Sequence, residues 1–211
     1  MQTQFVLDLN NKEIIMSRTS LIYRDTKETQ IKVSLNLDGE GCGNIDSGIP
    51  FFDHMLNGFT KHGLFDMDVR CEGDLEVDAH HTVEDTGIVI GQAIKEAVGD
   101  KEGIKRFGYY ILPMDDALVL CSIDLGGRPY IDFNDYLFPT EKVGEMDTEL
   151  FKEFFAAISY SAMMNIHIRV LAGDNSHHIA EAMFKSFAKA LDMATSIDPR
   201  IKGVQSTKGV L

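Results

Sequence analysis

Alternating apolar and polar positions predict a β-strand early in the chain. Residues 30–37, QIKVSLNL, alternate with the period of two that a half-buried strand shows. The turn sequence DGEG follows at residues 38–41, and we therefore predict that this strand enters a hairpin. Residues 65–70 and 74–77 are predicted to form two further short strands.

Two segments of the first half carry apolar residues at helical spacing instead. Residues 51–62 follow Pro50 and end at the expected stop Gly63, with one apolar face made by Phe52, Met55, Leu56 and Phe59. A second helix is predicted from about His80 to Val98, and its apolar face carries Val83, Gly87, Ile90, Ile94 and Val98.

The second half of the chain repeats this order of elements. Residues 149–161 predict an amphipathic helix, residues 165–171 a strand, residues 173–175 a turn and residues 177–193 a long helix. The last helix of each half opens with the same His-His-x-x-Glu motif, as His80, His81 and Glu84 and again as His177, His178 and Glu181. The copies lie 97 residues apart, 177 minus 80.

This repetition predicts an α+β fold made by tandem duplication of a unit with one β-sheet and two helices. Chance similarity is the alternative, but the match includes the helix and strand before each motif. We expect the helices to pack together between two mixed sheets. The predicted divisions are an N-terminal extension at residues 1–17, a first half-repeat at 18–113 and a second at 114–211, together one compact catalytic unit.

Composition narrows the class of protein. The 211 residues are 44% hydrophobic and include 13 Phe, which is enough for a core without disulfides, and the three cysteines lack CxxC spacing. A net charge of -13 argues against a nucleic-acid partner, because phosphate backbones are bound by clustered Lys and Arg. Without a run of about 20 apolar residues or a signal-peptide pattern, we expect a cytoplasmic protein with no membrane contact.

The repeated motif has the spacing of a metal ligand set. At the start of a helix, His at position i and Glu at i+4 project on one face, so His80 with Glu84 can hold one ion, and His177 with Glu181 another. His81 and His178 point about 100 degrees further round the helix. If the two helix starts meet, within the chain or across subunits, His81 completes the site of His177, and His178 completes the site of His80.

The earlier helix of each half offers one more possible ligand. His54 precedes His80 by 26 residues (80 minus 54), and Glu153 precedes His177 by 24 (177 minus 153). Nitrogen and carboxylate ligands with no thiolate suit manganese, iron or zinc, and the spacing alone names none of these.

Three stretches around these residues resemble the signature regions of the imidazoleglycerol-phosphate dehydratase family. They are DSGIPFFDHML at residues 46–56, HGLFDMDVRCEGDLEVDAHHTVEDTGIVIG at 62–91 and AGDNSHHIAEAMFKSFAKAL at 172–191. With STKG at residues 206–209, the resemblance covers nearly all of the chain from about residue 18. It implies halves similar to domain 2 of ribosomal protein S5.

The resemblance also implies a reaction and its cofactor. Such a lyase removes water from imidazole glycerol phosphate and forms imidazole acetol phosphate, a step of L-histidine biosynthesis. No carbonyl accepts the charge when the proton leaves, so two Mn²⁺ ions per active site would stabilise an imidazolate and a diazafulvene-like intermediate. The family further implies a closed homo-oligomer of about 24 subunits with active sites at subunit interfaces.

Individual roles follow from matching positions. The resemblance implies that phosphate binds to Arg106, Arg128, Lys185, Ser206, Thr207 and Lys208, and that Glu28, Glu84 and Glu181 are the candidate catalytic carboxylates. His62 is a candidate substrate contact, and the candidate metal ligands, which would also line the substrate site, are His54, His80, His81, Glu84, Glu153, His177, His178 and Glu181.

Two details qualify these roles. Some members of the family carry a histidine where this chain has Glu153, so that ligand is either a carboxylate or missing. His167 lies inside an apolar strand and is expected to be structural.

Two other classes of function use similar residues. A binuclear metallohydrolase would activate water with such ligands, but it usually has more bridging aspartates than these motifs supply. A metal-storage or metal-sensing protein would hold ions with His and Glu, but it would have no use for Arg106, Arg128 and Lys208.

Overall fold

The computed structural model describes residues 5–7, 14–16, 18–133 and 138–211. The first half contains β3 (Thr19–Asp25), β4 (Thr29–Asn36), β5 (Ile45–Asp46), α1 (Pro50–Gly63), β6 (Asp66–Gly73) and α2 (His80–Val98). The second contains β7 (Phe107–Met114), β8 (Ala117–Asp124), β9 (Tyr130–Phe133), β10 (Lys142–Val143), β11 (Met146–Asp147), α3 (Leu150–Ala162), β12 (Asn165–Ala172) and α4 (Ser176–Thr195). Before them, β1 (Phe5–Leu7) pairs with β2 (Ile14–Met16).

The two four-stranded sheets have the same topology. The first has the order β3-β4-β6-β5, and the second has the order β7-β8-β12-β9. In each sheet a hairpin pairs with the strand that follows the first helix, and a short strand joins that strand in parallel. The predicted tandem duplication is therefore confirmed by strand order, strand direction and helix position together.

The helices lie between the two sheets, as predicted. Helix α2 packs on β3 and β4, helix α4 packs on β7 and β8, and the halves join because α1 contacts α4 and α2 contacts α3. Buried phenylalanines fill the joint, among them Phe52, which meets the ring of Phe154 edge to face at 5.1 Å. The fold is thus α+β, with two halves that share one core.

Glycine permits the close approach of α2 and α3. A Cβ added at Gly87 would lie 2.8 Å from the carbonyl oxygen of Phe154, and one at Gly91 would lie 2.9 Å from that of Ile158. Both distances are too short for a real side chain. Glycine on the predicted apolar face of α2 therefore reflects helix packing. Separately, no helix among the described residues is long and apolar enough to cross a membrane.

Two local predictions are wrong. The turn at residues 38–41 does not lead β4 into a hairpin, because β4 pairs with β3 and β6 and the next strand, β5, runs parallel to β6. The carboxylate of Asp66 accepts hydrogen bonds from the backbone N–H groups of Glu40 and Cys42 and so holds this segment as a loop. The second predicted strand, residues 74–77, is a turn, and a single strand, β6, replaces the predicted pair.

The other helices and strands that were predicted lie close to their predicted positions, whereas β3, β5 and β7 to β11 were not predicted. Helix α2 has the predicted limits, His80 and Val98, and Val83, Ile90 and Ile94 on its predicted face are buried. The predicted division between residues 113 and 114 stays a prediction, and β7 runs across it while pairing with β8. Within the predicted extension only residues 5–7 and 14–16 are described, so the rest of it lies outside the described residues.

Candidate active site

The start of helix α4 holds both histidines of the second motif in place. The side chain of Asn175 accepts hydrogen bonds from the backbone N–H groups of His177 and His178, at 2.9 and 3.3 Å. Asparagine is a favoured N-cap because it satisfies N–H groups that have no partner inside the helix. The cap therefore fixes where the second motif begins.

His54, His177 and Glu181 form a compact cluster of possible metal ligands. One ligand atom from each lies within 4.8 Å of the others, and the Nε2 atom of His177 lies 3.5 Å from Oε2 of Glu181. His54 comes from α1 and the other two residues from α4, and these helices pack together. The cluster offers imidazole nitrogens and a carboxylate oxygen with no thiolate, a donor set that fits manganese or iron.

Aromatic packing holds the rings of this cluster. The ring of Phe51 meets that of His177 edge to face at 5.2 Å, and the rings of His54 and His177 lie 5.6 Å apart. Phe51 also contacts the buried ring of Phe151. Sequence reasoning did not single out Phe51, although its position three residues before His54 on α1 is a signal for it.

Glu181 also contacts a lysine of its own helix. The Nζ atom of Lys185 lies 2.7 Å from Oε1 of Glu181. Although burial opposes ionisation of this carboxyl, the hydrogen bond and charge of Lys185 lower the pKa of Glu181 below its ordinary value. Burial lowers the pKa of the nearby His62, and the charges of Lys185 and Lys189 lower it further. These neighbours thus favour the charged form of Glu181 and the neutral form of His62.

The first motif forms the matching pair on helix α2. The Nε2 atom of His80 lies 3.3 Å from Oε2 of Glu84, and the carboxylate of Asp78 accepts a hydrogen bond from the backbone N–H of His80. Glu153 is half-buried in the first turn of α3, the helix that packs on α2. Among the described residues, the cluster of three possible ligands at His54 has no counterpart that includes Glu153.

The second histidine of each motif is oriented by an aspartate. The Nδ1 atom of His81 lies 3.0 Å from Oδ2 of Asp74, and Nδ1 of His178 lies 2.5 Å from Oδ1 of Asp116. These hydrogen bonds raise the pKa of both histidines, and the bond from His178 lowers the pKa of Asp116 to about 2. A carboxylate accepts only, so each Nδ1 carries the proton, an arrangement common around metal-binding histidines.

Strand register relates Glu28 to Asp116. In the first hairpin Asp25 pairs with Gln30, and in the second Pro113 pairs with Leu118. Counting on from these pairs places Glu28 and Asp116 at the same position of the two hairpin tips. The charge of Glu28 contributes to raising the pKa of His81, which places Glu28 near that ring. Each hairpin tip therefore presents a carboxylate to its own motif, a signal that the sequence TKET and MDDAL contained.

The predicted phosphate ligands fall into separate groups. Arg106 donates to both carboxylate oxygens of Asp124 and to the carbonyl oxygen of Gln205, so it lies beside the segment that carries Ser206, Thr207 and Lys208. Arg128 is exposed in the loop after Gly127, and the C-terminal residue Leu211 lies beside that glycine. Lys185 lies apart from this group, at Glu181.

One basic residue near Arg106 was not predicted. Lys101 is half-buried, and its Nζ atom lies close to Gly127, in the loop that leads to Arg128. Burial lowers the pKa of Lys101, while Asp124 raises it. Lys101 belongs to no recognisable motif, and its position near GIKRFG, at residues 103–108, is the signal that could have found it.

Helix packing decides which motif His54 joins. His54 lies beside His177 of the second motif, although in sequence it precedes His80 of the first motif. The reason is that α1 packs on α4, so each motif receives the preceding helix of the opposite half. His81 lies outside the His54 cluster among the described residues, so the mixed site does not form within one chain there. His167, on β12, lies 3.4 Å from Asp132 on β9 and is not part of the His54 cluster.

Comparison with known proteins agrees with this geometry. A family profile described as Imidazoleglycerol-phosphate dehydratase matches residues 47–191. The protein of that name from Lachnoclostridium phytofermentans is 62% identical over 196 residues, which span 93% of this chain and all of the relative. The one from Acetivibrio thermocellus is 57% identical over the same coverage.

Solved structures agree as well. The crystal structure of imidazoleglycerol-phosphate dehydratase from Staphylococcus aureus is 38% identical, with a TM-score of 0.77, and the match covers 85% of this chain and 99% of that one. The Pyrococcus furiosus structure is also 38% identical with a TM-score of 0.77, and the match covers 90% of this chain and all of the other.

Fold and site together define a class of enzyme with a duplicated α+β architecture, in which paired histidines and carboxylates open one helix of each half. Within that class, the chain belongs to the imidazoleglycerol-phosphate dehydratase family.

Proposed function

We propose that this chain dehydrates imidazole glycerol phosphate to imidazole acetol phosphate, a step of L-histidine biosynthesis, in the cytoplasm. The observation that carries the proposal is the presence of two sets of possible metal ligands. His54, His177 and Glu181 form one set, and His80 and Glu84 form the other. Family membership over the length of the relatives gives the substrate class. The imidazole ring would bind at the histidines of the two motifs, and the phosphate would bind at the basic residues of the site.

The proposed cofactor is Mn²⁺, with two ions per active site. His177, Glu181 and His54 would hold one ion, and His80 and Glu84 would contribute to the other. When bound, the metal would supply Lewis-acid stabilisation of the negative charge that develops on the imidazole ring as the proton leaves. The nitrogen and oxygen donors of the His54 cluster, which lie within 4.8 Å of one another, support such an ion.

The site residues have separate tasks in this elimination. The hydroxyl leaves as water from the carbon attached to the ring, a proton leaves the next carbon, and the resulting enol tautomerises to the ketone. Glu28 is an exposed carboxylate at a hairpin tip, outside the His54 cluster, and is the proposed acid and base. Lys185, neutralising Glu181, keeps that carboxylate in place.

Phosphate binding is proposed at the basic end. Arg128, Lys208 and the hydroxyls of Ser206 and Thr207 are exposed or half-buried and can reach an anion. Arg106, already paired with Asp124, would hold the C-terminal segment through Gln205 and add positive potential there.

Subunit assembly is proposed to complete the site. His81 and His178 are partly exposed, each is oriented by an aspartate, and His81 lies outside the His54 cluster of its own chain. We propose that they bind metal in a neighbouring subunit of a closed homo-oligomer of about 24 chains. A metal site shared between subunits requires a ligand that is oriented within its own chain but belongs to no metal-ligand cluster of that chain.

A substrate analogue tests the proposal by thermal stability. A phosphorylated triazole should raise the melting temperature only when Mn²⁺ is present, because linkage requires a ligand that binds on metal to depend on it. Arg128→Ala should reduce the shift, while Arg70→Ala, on the outer face of the first sheet, should leave it unchanged. A shift of equal size without metal would contradict the proposal.

A further inference from the structure

A buried polar network joins the first hairpin to helix α2. Oδ1 of Asp85 accepts a hydrogen bond from the guanidinium of Arg24 at 2.9 Å, and Oδ2 accepts one from the hydroxyl of Thr29 at 2.5 Å. Asp85 is 7% exposed and Thr29 is 1% exposed. Directional bonds of this kind restrict how the hairpin can move relative to the helix.

Two residues of this network are next in sequence to proposed site residues. Thr29 follows Glu28 at the hairpin tip, and Asp85 follows Glu84 on α2. The bond between Thr29 and Asp85 therefore links the residues next to the proposed acid–base carboxylate and next to a proposed metal ligand. Any slip of the hairpin along α2 would have to break it.

In the second half, the corresponding contact between the hairpin and helix α4, here called the joint, is made without these polar groups. Strand register places Leu112 where the first half has Arg24, since Arg24 pairs with Ile31 and Leu112 with Val119. Ala117 stands where Thr29 does, and Ala182 follows Glu181 as Asp85 follows Glu84. Ala117 and Ala182 are 1% and 0% exposed. The fold thus accepts an apolar version of the joint.

Stability does not account for the polar version. An ion pair of this kind contributes little net stability compared with well-packed apolar residues, because Asp85 loses most of its hydration while Arg24, with 34% of its side chain exposed, is screened by water. Here the Nε atom of Arg24 is buried and has no hydrogen-bond partner, which is a further cost. A role other than stability is needed to explain the network.

The difference between the two hairpin tips supplies that role. Asp116 is held by a hydrogen bond from His178, and by the N–H groups of Asp174 and Asn175. Glu28, at the same position, must stay available for proton transfer if the proposed function is right. The hairpin tip that carries Glu28 therefore has to be held by residues other than Glu28.

We propose that Asp85 is a positioning residue that fixes Glu28 relative to the first metal motif through Thr29 and Arg24. This inference rests on the proposed function, in which Glu28 transfers the proton. Asp85 itself touches no substrate, and it acts by holding the hairpin tip.

Two variants at one position test the hydroxyl bond. Thr29→Val keeps the shape of the side chain and removes its donor, whereas Thr29→Ser keeps the donor. With metal content measured for each protein, Thr29→Val should lose about 10-fold or more in kcat with a smaller change in KM, as expected of a misplaced catalytic group. Thr29→Ser should stay close to the unaltered enzyme. Equal losses in both variants would overturn the proposal.

A triple variant copies the joint of the second half. R24L/T29A/D85A replaces all three polar side chains by those found at the matching positions, so it should keep its melting temperature and its metal while losing kcat. Unchanged kcat and KM would overturn the proposal. If the triple variant does not fold, the pair at Thr29 decides the matter alone.

Hydrogen exchange separates this inference from the proposed function. The amides of residues 26–29 should exchange faster in Thr29→Val than in Thr29→Ser, with or without turnover. If the unaltered enzyme binds Mn²⁺ but does not dehydrate the substrate, the proposed function fails while the exchange result still tests the joint. Equal exchange in the two variants would mean that Asp85 does not hold the tip.

Discussion

Oδ1 of Asp116 lies 2.5 Å from Nδ1 of His178, so a hairpin tip orients a ring at the start of helix α4. Asp116 also accepts backbone hydrogen bonds from Asp174 and Asn175, the residues that lead into that helix. One carboxylate therefore fixes both the ring and the segment before it. Since Nδ1 carries the proton, Nε2, which lies 3.4 Å from Oδ2 of Asp115, is the nitrogen that could bind a metal.

Replacing this carboxylate should weaken metal binding more than folding. Asp116→Asn removes the charge that stabilises the ring, and we expect a 10- to 100-fold loss in affinity for Mn²⁺. Isothermal titration of the chelator-treated protein measures it. Asp192→Asn, at a half-buried aspartate paired with Lys189 on α4, is the control and should bind metal normally. Unchanged affinity in Asp116→Asn would contradict the proposed role of His178.

The pairing of His54 with the second motif makes a separate prediction. His54→Ala and His177→Ala should weaken the same metal site, and the double variant should lose little more at that site than either single variant does. His80→Ala should weaken a different site, so its effect should add to that of His54→Ala. Metal content after dialysis against dilute Mn²⁺ measures these losses. Additive losses for His54 and His177 would show that they do not share an ion, and His167→Ala serves as the neutral control.

Two glycines should respond oppositely to alanine. A Cβ at Gly43 would lie 1.9 Å from the carbonyl oxygen of Met67, whereas one at Gly58, inside α1, meets nothing within 4 Å. We expect Gly43→Ala to lower the free energy of unfolding by about 2 kcal/mol or more, and Gly58→Ala to raise it by roughly 0.5–1 kcal/mol. Urea unfolding of both variants measures the difference. A Gly43→Ala protein as stable as the Gly58→Ala protein would contradict the packing of this loop on β6.

Asp66 should make stability depend on pH. Hydrogen bonds from the backbone N–H groups of Cys42 and Glu40 lower the pKa of Asp66 in the folded state. A lowered folded pKa means that the contribution is complete above the ordinary value of about 3.9 and is lost as the pH falls through the folded pKa. Asp66→Asn should therefore be less stable than the unaltered protein at pH 7, by on the order of 1 kcal/mol.

The same pair of proteins should converge in acid. Unfolding in urea between pH 7 and pH 3, with a chelator present, would follow the difference in the free energy of unfolding. It should shrink only at the acid end of this range. A difference that grows as the pH falls would mean that Asp66 does not have a lowered pKa.

Much of the fold could be predicted because its signals are local. The apolar faces of α1, α2, α3 and α4 show helical spacing, and the repeated motif reveals the duplication. The hairpin after β4 could not be excluded, because the turn sequence at residues 38–41 is typical of hairpins. The loop depends on Asp66, 25 residues beyond Gly41 (66 minus 41), and no local pattern reports such a contact.

Some features of the site could also be predicted from local sequence, and others could not. His80 with Glu84, and His177 with Glu181, follow from the i,i+4 geometry of a helix and were predictable from spacing alone. The partner of His54 could not be predicted, because it depends on which helices pack together. Asp74 and Asp116 were missed because they reach the histidines from a strand end and a hairpin tip.

The most direct test is turnover of imidazole glycerol phosphate by the chelator-stripped protein, with and without added Mn²⁺. We expect imidazole acetol phosphate to form only with the metal, and His80→Ala and His177→Ala each to abolish its formation while His167→Ala does not. Full loading of the unaltered protein with Mn²⁺ but no turnover would contradict the account and would leave a metal-binding protein without this activity.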